Sequence, residues 1–328
     1  NISNSKTIND IIMGDKLKSA IEGLEKTYGK NVILKLDDKP LKVPTLSTGV
    51  ANINRALGIG GYPFGRIVEI FGPESAGKST LALHAVKEAQ VKKITVAYVD
   101  TEHSLNIQYA QDLGIDIDKL LISQPNSAEE ALNVVEVLVK TEEVGLVIVD
   151  SVSALVPKSE EEGEMGDQSI GRQGKLMSQA MRKLAGPVSK SKCIVIFINQ
   201  LRDKIGGYGG QTTSGGHALK YYASIRIDIR KMGVKIEDKT KHIGDTTKVK
   251  IVKNKLAPPF ITTEVDLIYG KGFCPIRNTI NAAVEMGIVQ KAGAWYSYNG
   301  TKLAQGLSKA VALIEDNDEL FKEIESKL

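Results

Sequence analysis

The sequence holds few cysteines and almost no tryptophan: two Cys and one Trp in 328 residues. Cys193 and Cys274 cannot build a disulfide framework and have no metal-ligand spacing, so a stapled secreted fold is excluded and a reducing, cytoplasmic setting is expected. The four histidines, His84, His103, His217 and His242, lack the spacing of a zinc hydrolase. No apolar run approaches the ~18 residues that a membrane helix needs. The polar opening Asn1-Ile-Ser-Asn-Ser-Lys6 has none of the regions of a secretory signal, so no membrane association is expected. Excess charge of one sign is also small: 43 Lys and Arg against 39 Asp and Glu leave a net of +4, which permits contact with a polyanion without demanding it. There is no internal repeat.

What the sequence does hold is a complete phosphate loop. Gly72, Pro73, Glu74, Ser75, Ala76, Gly77, Lys78 and Ser79 match G-x-x-x-x-G-K-S/T and follow the apolar run Ile-Val-Glu-Ile-Phe at 67–71. Glycines let backbone N–H groups close around phosphates, Lys78 supplies a point charge, and the Ser79 hydroxyl suits Mg²⁺. After Thr80 the sequence continues to Gln90 without Pro or Gly, which predicts a helix whose N-terminal dipole faces the phosphates. A nucleoside triphosphate site is expected.

Apolar positions Leu17, Ala20, Ile21, Leu24 and Tyr28 recur at helical spacing and Gly29 stops them, which predicts one amphipathic helix over 15–28. On these residues alone it packs against its own core. A short strand at 32–36 and the turn-prone 37–40 follow, giving an N-terminal appendage over 1–39. From 40 to 274 strand-like runs at 95–100, 146–150 and 193–200 alternate with helical segments, one of them opening on a capping box at Ser127-Ala-Glu-Glu130. Unbroken apolar strands imply a sheet covered on both faces. Strict alternation at 222–230, then strands at 248–253 and 261–269, adds antiparallel members. The expectation is an α/β fold with a central mixed, mostly parallel sheet. At 275–328 short helical pieces with a corner at Trp295-Tyr296 predict a small C-terminal domain.

In such sheets ligands lie beyond the carboxyl ends of the strands. Asp150 ends Leu146-Val-Ile-Val-Asp in the manner of a Mg²⁺-holding acid. Glu102, just past Asp100, suits the activation of a water. Gln200 is either an ordinary polar strand end or a sensor of the γ-phosphate. Residues 205–216, half of them glycine, form either a plain surface loop or one that closes on a nucleic-acid backbone, with Arg202, Lys204 and Lys220 around it. A second loop, 157–174, carries Glu160, Glu161, Glu162, Glu164 and Asp167, and Glu160 to Glu162 read as a solvated face. Arg226, Lys248 and Lys250 form either a weaker DNA strip or a solvated sheet face.

Gly-Pro-Glu-Ser-Ala-Gly-Lys-Ser-Thr80, Val-Asp-Thr-Glu-His103, Val-Asp-Ser-Val-Ser-Ala-Leu155 and Phe-Ile-Asn-Gln200 resemble the RecA family of bacterial recombinases, and the likeness extends to Lys291-Ala-Gly-Ala-Trp-Tyr-Ser297. The resemblance implies a RecA-like P-loop NTPase core and a DNA-dependent ATPase, with ATP and Mg²⁺ as cofactors. Such a protein forms homo-oligomeric helical filaments on single-stranded DNA, pairs homologous duplex DNA and exchanges strands in repair. It implies phosphate and metal contacts by Lys78, Ser79 and Asp150, adenine against Tyr109, Glu102 as base, and Gln200 as the link to the glycine loop. Lys253 and Lys255 then reach the ATP of an adjacent subunit, and the first helix docks on a neighbour.

DNA contacts carried over are Ser178, Arg182, Arg202, Lys204, Gly215, Gly216 and His217. Implied partners include a LexA-type repressor, through a co-protease role in the SOS response, and mediator proteins. A hexameric helicase-type motor and a filament scaffold are the alternatives. The sequence departs from the family in a glycine loop about two residues short, with Asn106 where an acid is usual and His217 where an amide is common. Glu315-Asp-Asn-Asp-Glu319 is the short acidic stretch in place of the family's acidic tail.

Overall fold

Alternate residues of each central strand face opposite ways, and in this chain both sets are apolar and covered. The computed structural model describes residues 15–29, 32–33, 43–162, 171–203, 210–238 and 241–328. Lys204, residues 205–209, Glu164, Asp167 and the 34–40 junction lie outside the described residues. The chain falls into two units, Asn1–Val43 and Pro44–Leu328. In the first, helix α1 (Asp15–Tyr28) spans the expected residues, buries Ile21, and ends where Gly29 N–H donates to Glu25 O at 2.9 Å. Leu17 and Leu24 remain exposed.

The second unit opens with β1 (Thr45–Leu46), α2 (Ala51–Leu57) and β2 (Tyr62–Pro63), β1 and β2 pairing antiparallel. Then come β3 (Ile67–Gly72), α3 (Lys78–Val91), β4 (Thr95–Asp100), α4 (Ile107–Asp112), β5 (Leu120–Ser123), α5 (Ala128–Lys140), β6 (Val144–Asp150), α6 (Lys158–Glu161), α7 (Arg172–Ser191) and β7 (Ile194–Asp203). The chain continues through β8 (Gln211–Thr213), α8 (Ala218–Tyr222), β9 (Ile225–Asp238), β10 (Lys241–Asn254), β11 (Thr262–Ile268) and β12 (Gly272–Phe273). The large sheet has the order β12-β11-β10-β9-β3-β7-β6-β4-β5, with β8 paired to β7. Strands from β9 to β5 in that order run parallel, while β9 to β12 are antiparallel.

Leu146, Ile148, Ile194, Ile196 and Ile198 face one way, against Leu81, Ala82, Ala85 and Val86 of α3. Val147, Val149, Val195 and Phe197 face the other, against Val135 and Val139 of α5 and Met177, Met181 and Leu184 of α7. At ~25 cal/mol per Å² of apolar surface removed from water, these two layers dominate the stability of the unit.

Three expectations change. The run that sequence ends at Gln200 continues as strand to Asp203, because part of the glycine-rich segment, Gln211–Thr213, pairs back on Leu201–Asp203. Backbone hydrogen bonding there makes a strand of residues that the glycine-rich composition marks only as loop. Trp295 and Tyr296 form no corner but start β14 (Trp295–Tyr298), set between β13 (Val289–Ala292) and β15 (Thr301–Gln305), after α9 (Pro275–Glu285). Lastly, residues 315–319 join α10 (Leu307–Glu315) to α11 (Asp318–Ser326). Asn317 Oδ1 accepts from Leu320 N–H at 3.1 Å, and Asp318 and Glu319 fill the first turn, where acids suit the helix dipole.

His84 of α3 accepts a hydrogen bond at Nε2 from Phe273 N–H (3.0 Å), which ties β12 to the phosphate-loop helix. Gly272 has φ +72, and a Cβ there would come within 2.6 Å of that nitrogen, so only glycine allows the approach. Burial, assisted by the Lys87 charge, pushes the imidazole pKa down to about 4. The folded value lies below the unfolded one, so stability rises with pH through about 4 to 6.5 and falls as the solution is acidified through that window. Removing the ring as His84→Gln is expected to flatten the dependence. The check is the urea midpoint of both proteins at pH 7 and pH 5, and an equal decline in both would remove His84 as its source.

Candidate functional site

Polar residues that close the central strands meet at one end of the sheet. In register Gly72 is level with Gln200 and Asp100 with Asp150. Between β3 and α3 the chain turns with φ +55 at Ser75 and +96 at Gly77. Positive φ at these two positions aims N–H groups into one concavity at the start of α3, an anion site by backbone geometry and dipole. Lys78 is buried, and its Nζ bends back to donate to Pro73 O at 2.6 Å. Burial lowers its pKa, countered by the charges of Asp150, Glu102 and Glu74. An arriving phosphate therefore meets a partly desolvated ammonium held by one carbonyl.

Thr80 Oγ1 lies 3.2 Å from Tyr109 OH, which brings these two residues together beside the turn. Tyr109 is set in the first turn of α4 by Asn106, whose Oδ1 accepts Tyr109 N–H at 2.9 Å. Asn106 thus fills the capping role equally open to an acid.

Asp150 is buried and accepts hydrogen bonds from Tyr98 OH (Oδ2, 2.6 Å) and from the Ser79 hydroxyl. Burial raises its pKa, the two donors lower it, and the Glu102 and Asp100 carboxylates raise it again. Asp100 is turned to its own loop, accepting from Ser104 N–H, Leu105 N–H and Gln124 Nε2 at 3.1–3.2 Å. Thr101 N–H donates to Asp150 O at 2.8 Å, so the segment carrying Glu102 is fastened to the end of β6. Glu102 Oε1 accepts from Ser151 Oγ and, at 3.1 Å, from Gln200 Nε2. One carboxylate oxygen is thereby committed and the other is open to a water. Sequence reading passed over Tyr98 and Ser151. Period two puts Tyr98 on the same face as Asp100, and that was the available signal.

Among the residues carried over as DNA contacts, Arg202 lies on β7 opposite Thr212, Arg182 is exposed on α7, and Ser178 Oγ donates to Gly174 O at 2.8 Å. The start of α7 abuts the end of the glycine-rich segment. Gly215 N–H donates to Gln173 Oε1 at 3.1 Å, while Gln173 Nε2 donates to Val152 O (2.8 Å) and Leu155 O (3.0 Å). A Cβ on Gly216 would sit 3.3 Å from Gly174 Cα. Gln173, another residue missed in the sequence, positions Gly215, Gly216 and His217 beside Ser178. Lys204 lies outside the described residues.

Lys253 and Lys255 stand elsewhere. Lys253 pairs with Arg226, which pairs with Glu69, so it sits three positions, ~10 Å, back along β3 from Gly72 and two strands across. Lys253 Nζ donates to Lys220 O (2.6 Å) and Tyr221 O (2.9 Å), and Lys255 Nζ to Tyr221 O (3.4 Å). Neither lysine touches the phosphate loop of its own chain. Arg226 leaves the strip proposed with Lys248 and Lys250: its guanidinium is bound to buried Glu69 and lies over the Phe71 ring at 4.6 Å, while the two lysines are exposed.

Among the described residues no helix is long and apolar enough to cross a membrane, and no group of three His, Cys, Asp or Glu is arranged to hold a metal. Residues 15–274 match the RecA N-terminal domain and residues 278–328 the RecA C-terminal domain. The protein RecA of Chloroherpeton thalassium is 55% identical over 319 residues, covering 95% of this chain and 89% of that one. Those of Cytophaga hutchinsonii and Azospirillum lipoferum are 51% and 49% identical, covering 96% and 95% of this chain and 90% and 88% of theirs.

Proposed function

The chain belongs to the RecA family and is a DNA-dependent ATPase of homologous recombination, and from that premise we propose how its residues divide the work. ATP is the nucleotide, seated in the 72–80 turn with Lys78 on its phosphates and Tyr109 beside the adenine. An oxygen-only pair, Ser79 and Asp150, fits Mg²⁺, which takes few protein ligands and completes its shell with phosphates and water. Bound there, Mg²⁺ neutralises charge that develops on the phosphate oxygens. Glu102 takes the proton of the attacking water through its open oxygen.

Gln200 exchanges Glu102 for the γ-phosphate and so moves the strand that leads into the DNA loop. Ser178, Arg182, Arg202, Lys204 and Gly215 to His217 hold the single-stranded backbone, with phosphate contacts that position it and read no bases. Lys253 and Lys255 serve the ATP of the adjacent subunit in the filament. The appendage over 1–39 joins neighbours, the core is 40–274, and 275–328 is the C-terminal domain. A cytoplasmic location, a LexA-type repressor and mediator proteins follow from the same reading.

The observation that carries it is the meeting of Lys78, Ser79, Asp150, Glu102 and Gln200 at one sheet end, with the two lysines set back from it and two strands away. The test is ATP hydrolysis with no DNA, poly-dT and duplex DNA at stated salt. Strong stimulation by poly-dT is expected, and none would end the reading. Binding of oligo-dT should weaken steeply with salt. Arg182→Ala and Arg202→Ala should each lower the slope of log affinity against log salt by about 1, uniformly across sequences. An unchanged slope would remove that residue from the phosphate contacts.

A further inference from the structure

A polar bridge crosses the interior beside the phosphate loop, and the chemistry above uses none of its members. Glu69 of β3 is fully buried. Its Oε2 accepts from Arg226 Nε at 2.5 Å and its Oε1 from Asn199 Nδ2 at 3.0 Å. Asn199, also fully buried, immediately precedes Gln200. Its Nδ2 donates as well to Ser214 O at 3.0 Å, and its Oδ1 accepts Gln200 N–H at 2.9 Å and Ser153 Oγ at 3.3 Å. Ser153 Oγ, its one proton given to Asn199, can accept from Ser214 Oγ, 3.2 Å away. Arg226 is the register partner of Lys253, and Ser214 is the residue before Gly215. The bridge therefore spans β9, β3 and β7, from the lysine edge to the last turn of the glycine-rich segment.

Neighbouring positions of β3 are Val68, Ile70 and Phe71. An apolar side chain at 69 would satisfy the sheet, and a buried ion pair is seldom the more stable choice. What the pair adds is placement. Through Asn199 it sets where the Ser214 carbonyl lies, and the segment it fixes is the three-residue strand β8 and its glycine turn, which also pairs with β7 and is held by Lys220 on Thr212 and Gln173 on Gly215. Coupling between sites needs an element that can be docked or released, and a three-residue strand ending at a glycine turn is a short piece to move in that way.

We propose that Asn199 and Glu69 are positioning residues that couple nucleotide engagement to docking of the DNA loop. The proposal rests on the reading that Lys253 engages a neighbour's phosphate and that Gly215 to His217 engage DNA. Contact at Lys253 acts on its partner Arg226, Arg226 holds Glu69, and Asn199 passes the position of Glu69 to Ser214 and to the Gln200 backbone. Coupling of two binding events is reciprocal, so each ligand must change the affinity of the other by one common factor.

The experiment measures that factor. Affinity for a fluorescent non-hydrolysable ATP analogue is taken with and without oligo-dT, and affinity for labelled oligo-dT with and without the analogue, in full-length protein with Mg²⁺. Asn199→Ala is expected to lower the factor about tenfold, with each ligand alone bound within about threefold of wild type. Ser153→Ala, which removes one arm of the bridge at a half-buried site, is expected to lower it less. A factor within twofold of wild type in Asn199→Ala, with an unchanged melting temperature, overturns the proposal. Should Asn199→Ala fail to fold, an unchanged factor in Ser153→Ala overturns it instead. Lys253→Ala separates the two levels. If that variant keeps the wild-type factor, the underlying reading of Lys253 fails. If it loses the factor while Asn199→Ala keeps it, the bridge alone is wrong.

Discussion

Glu102→Gln is expected to slow ATP hydrolysis on poly-dT by about 10²- to 10⁴-fold, the usual worth of a positioned general base. The substitution is close to isosteric. The amide oxygen can still accept from Ser151 Oγ and Gln200 Nε2, as the carboxylate Oε1 does now, so the loop between β4 and β6 keeps its fastening. Thr101 N–H to Asp150 O is a backbone contact and survives regardless. What disappears is the second oxygen's ability to take a proton from water. Single-turnover hydrolysis measures the loss, and binding of a non-hydrolysable analogue with sedimentation on poly-dT measures what is kept. Nucleotide binding and filament assembly should persist within about threefold, which would show that assembly and turnover are separable. A rate within tenfold of wild type would take the base assignment away from Glu102.

How much of this arrangement was legible in the residues differs from place to place, for physical reasons. The phosphate loop and the strands at 67–71, 95–100 and 146–150 are local features: a turn that requires glycine, and apolar runs whose two faces are both covered. The helix at 128–140 announces itself through Ser127, whose Oγ accepts Glu130 N–H at 3.3 Å, although Glu130 reaches back to Asn126 N–H instead of completing the box on Ser127. β5 was not foreseen, since four residues, Leu-Leu-Ile-Ser, are too short for alternation to register, and pairing with β4 is what makes them a strand. The strand pairing of Gln211–Thr213 was hidden by glycine for the same reason. Gln173 and Asn199 were invisible as site residues because the contacts that give them meaning here, to Gly215 and Glu69, lie 42 and 130 positions away, and spacing along a chain carries no trace of such contacts. Tyr98, 52 positions from Asp150, left only its shared face with Asp100 as a sign.

Substituting Lys253 and Lys255 together by alanine is expected to lower poly-dT-stimulated hydrolysis by about 10³-fold or more, the order found for a cation supplied across an interface to a transferring phosphoryl group. The strand register makes the source of that cation decidable. Lys253 is level with the middle of β3 and Lys255 with its start, both two strands from their own phosphate loop with ammonium groups on the Lys220 and Tyr221 carbonyls, so a contribution to hydrolysis is expected to be made to another copy. A head-to-tail contact that does not close generates a filament, in which every pocket faces a neighbour's lysines.

Mixing supplies the decisive measurement. Lys78→Ala chains have a dead pocket and sound lysines, and the double lysine variant has a sound pocket and dead lysines. Each alone should be inactive, whereas an equimolar mixture on poly-dT should regain about one working interface in four. No recovery, with both chains shown to co-assemble, would place the lysines in cis or outside the chemistry. Proton linkage gives an independent check. Burial, then the charges of Lys255 and Arg226, lower the Lys253 pKa to about 8, with Glu69 opposing. The free lysine therefore loses charge as pH rises through 8, while a phosphate binds the protonated form and raises the value again. Affinity of the assembled filament for the ATP analogue should fall between pH 7 and pH 9, and Lys253→Arg, which stays charged, should fall less.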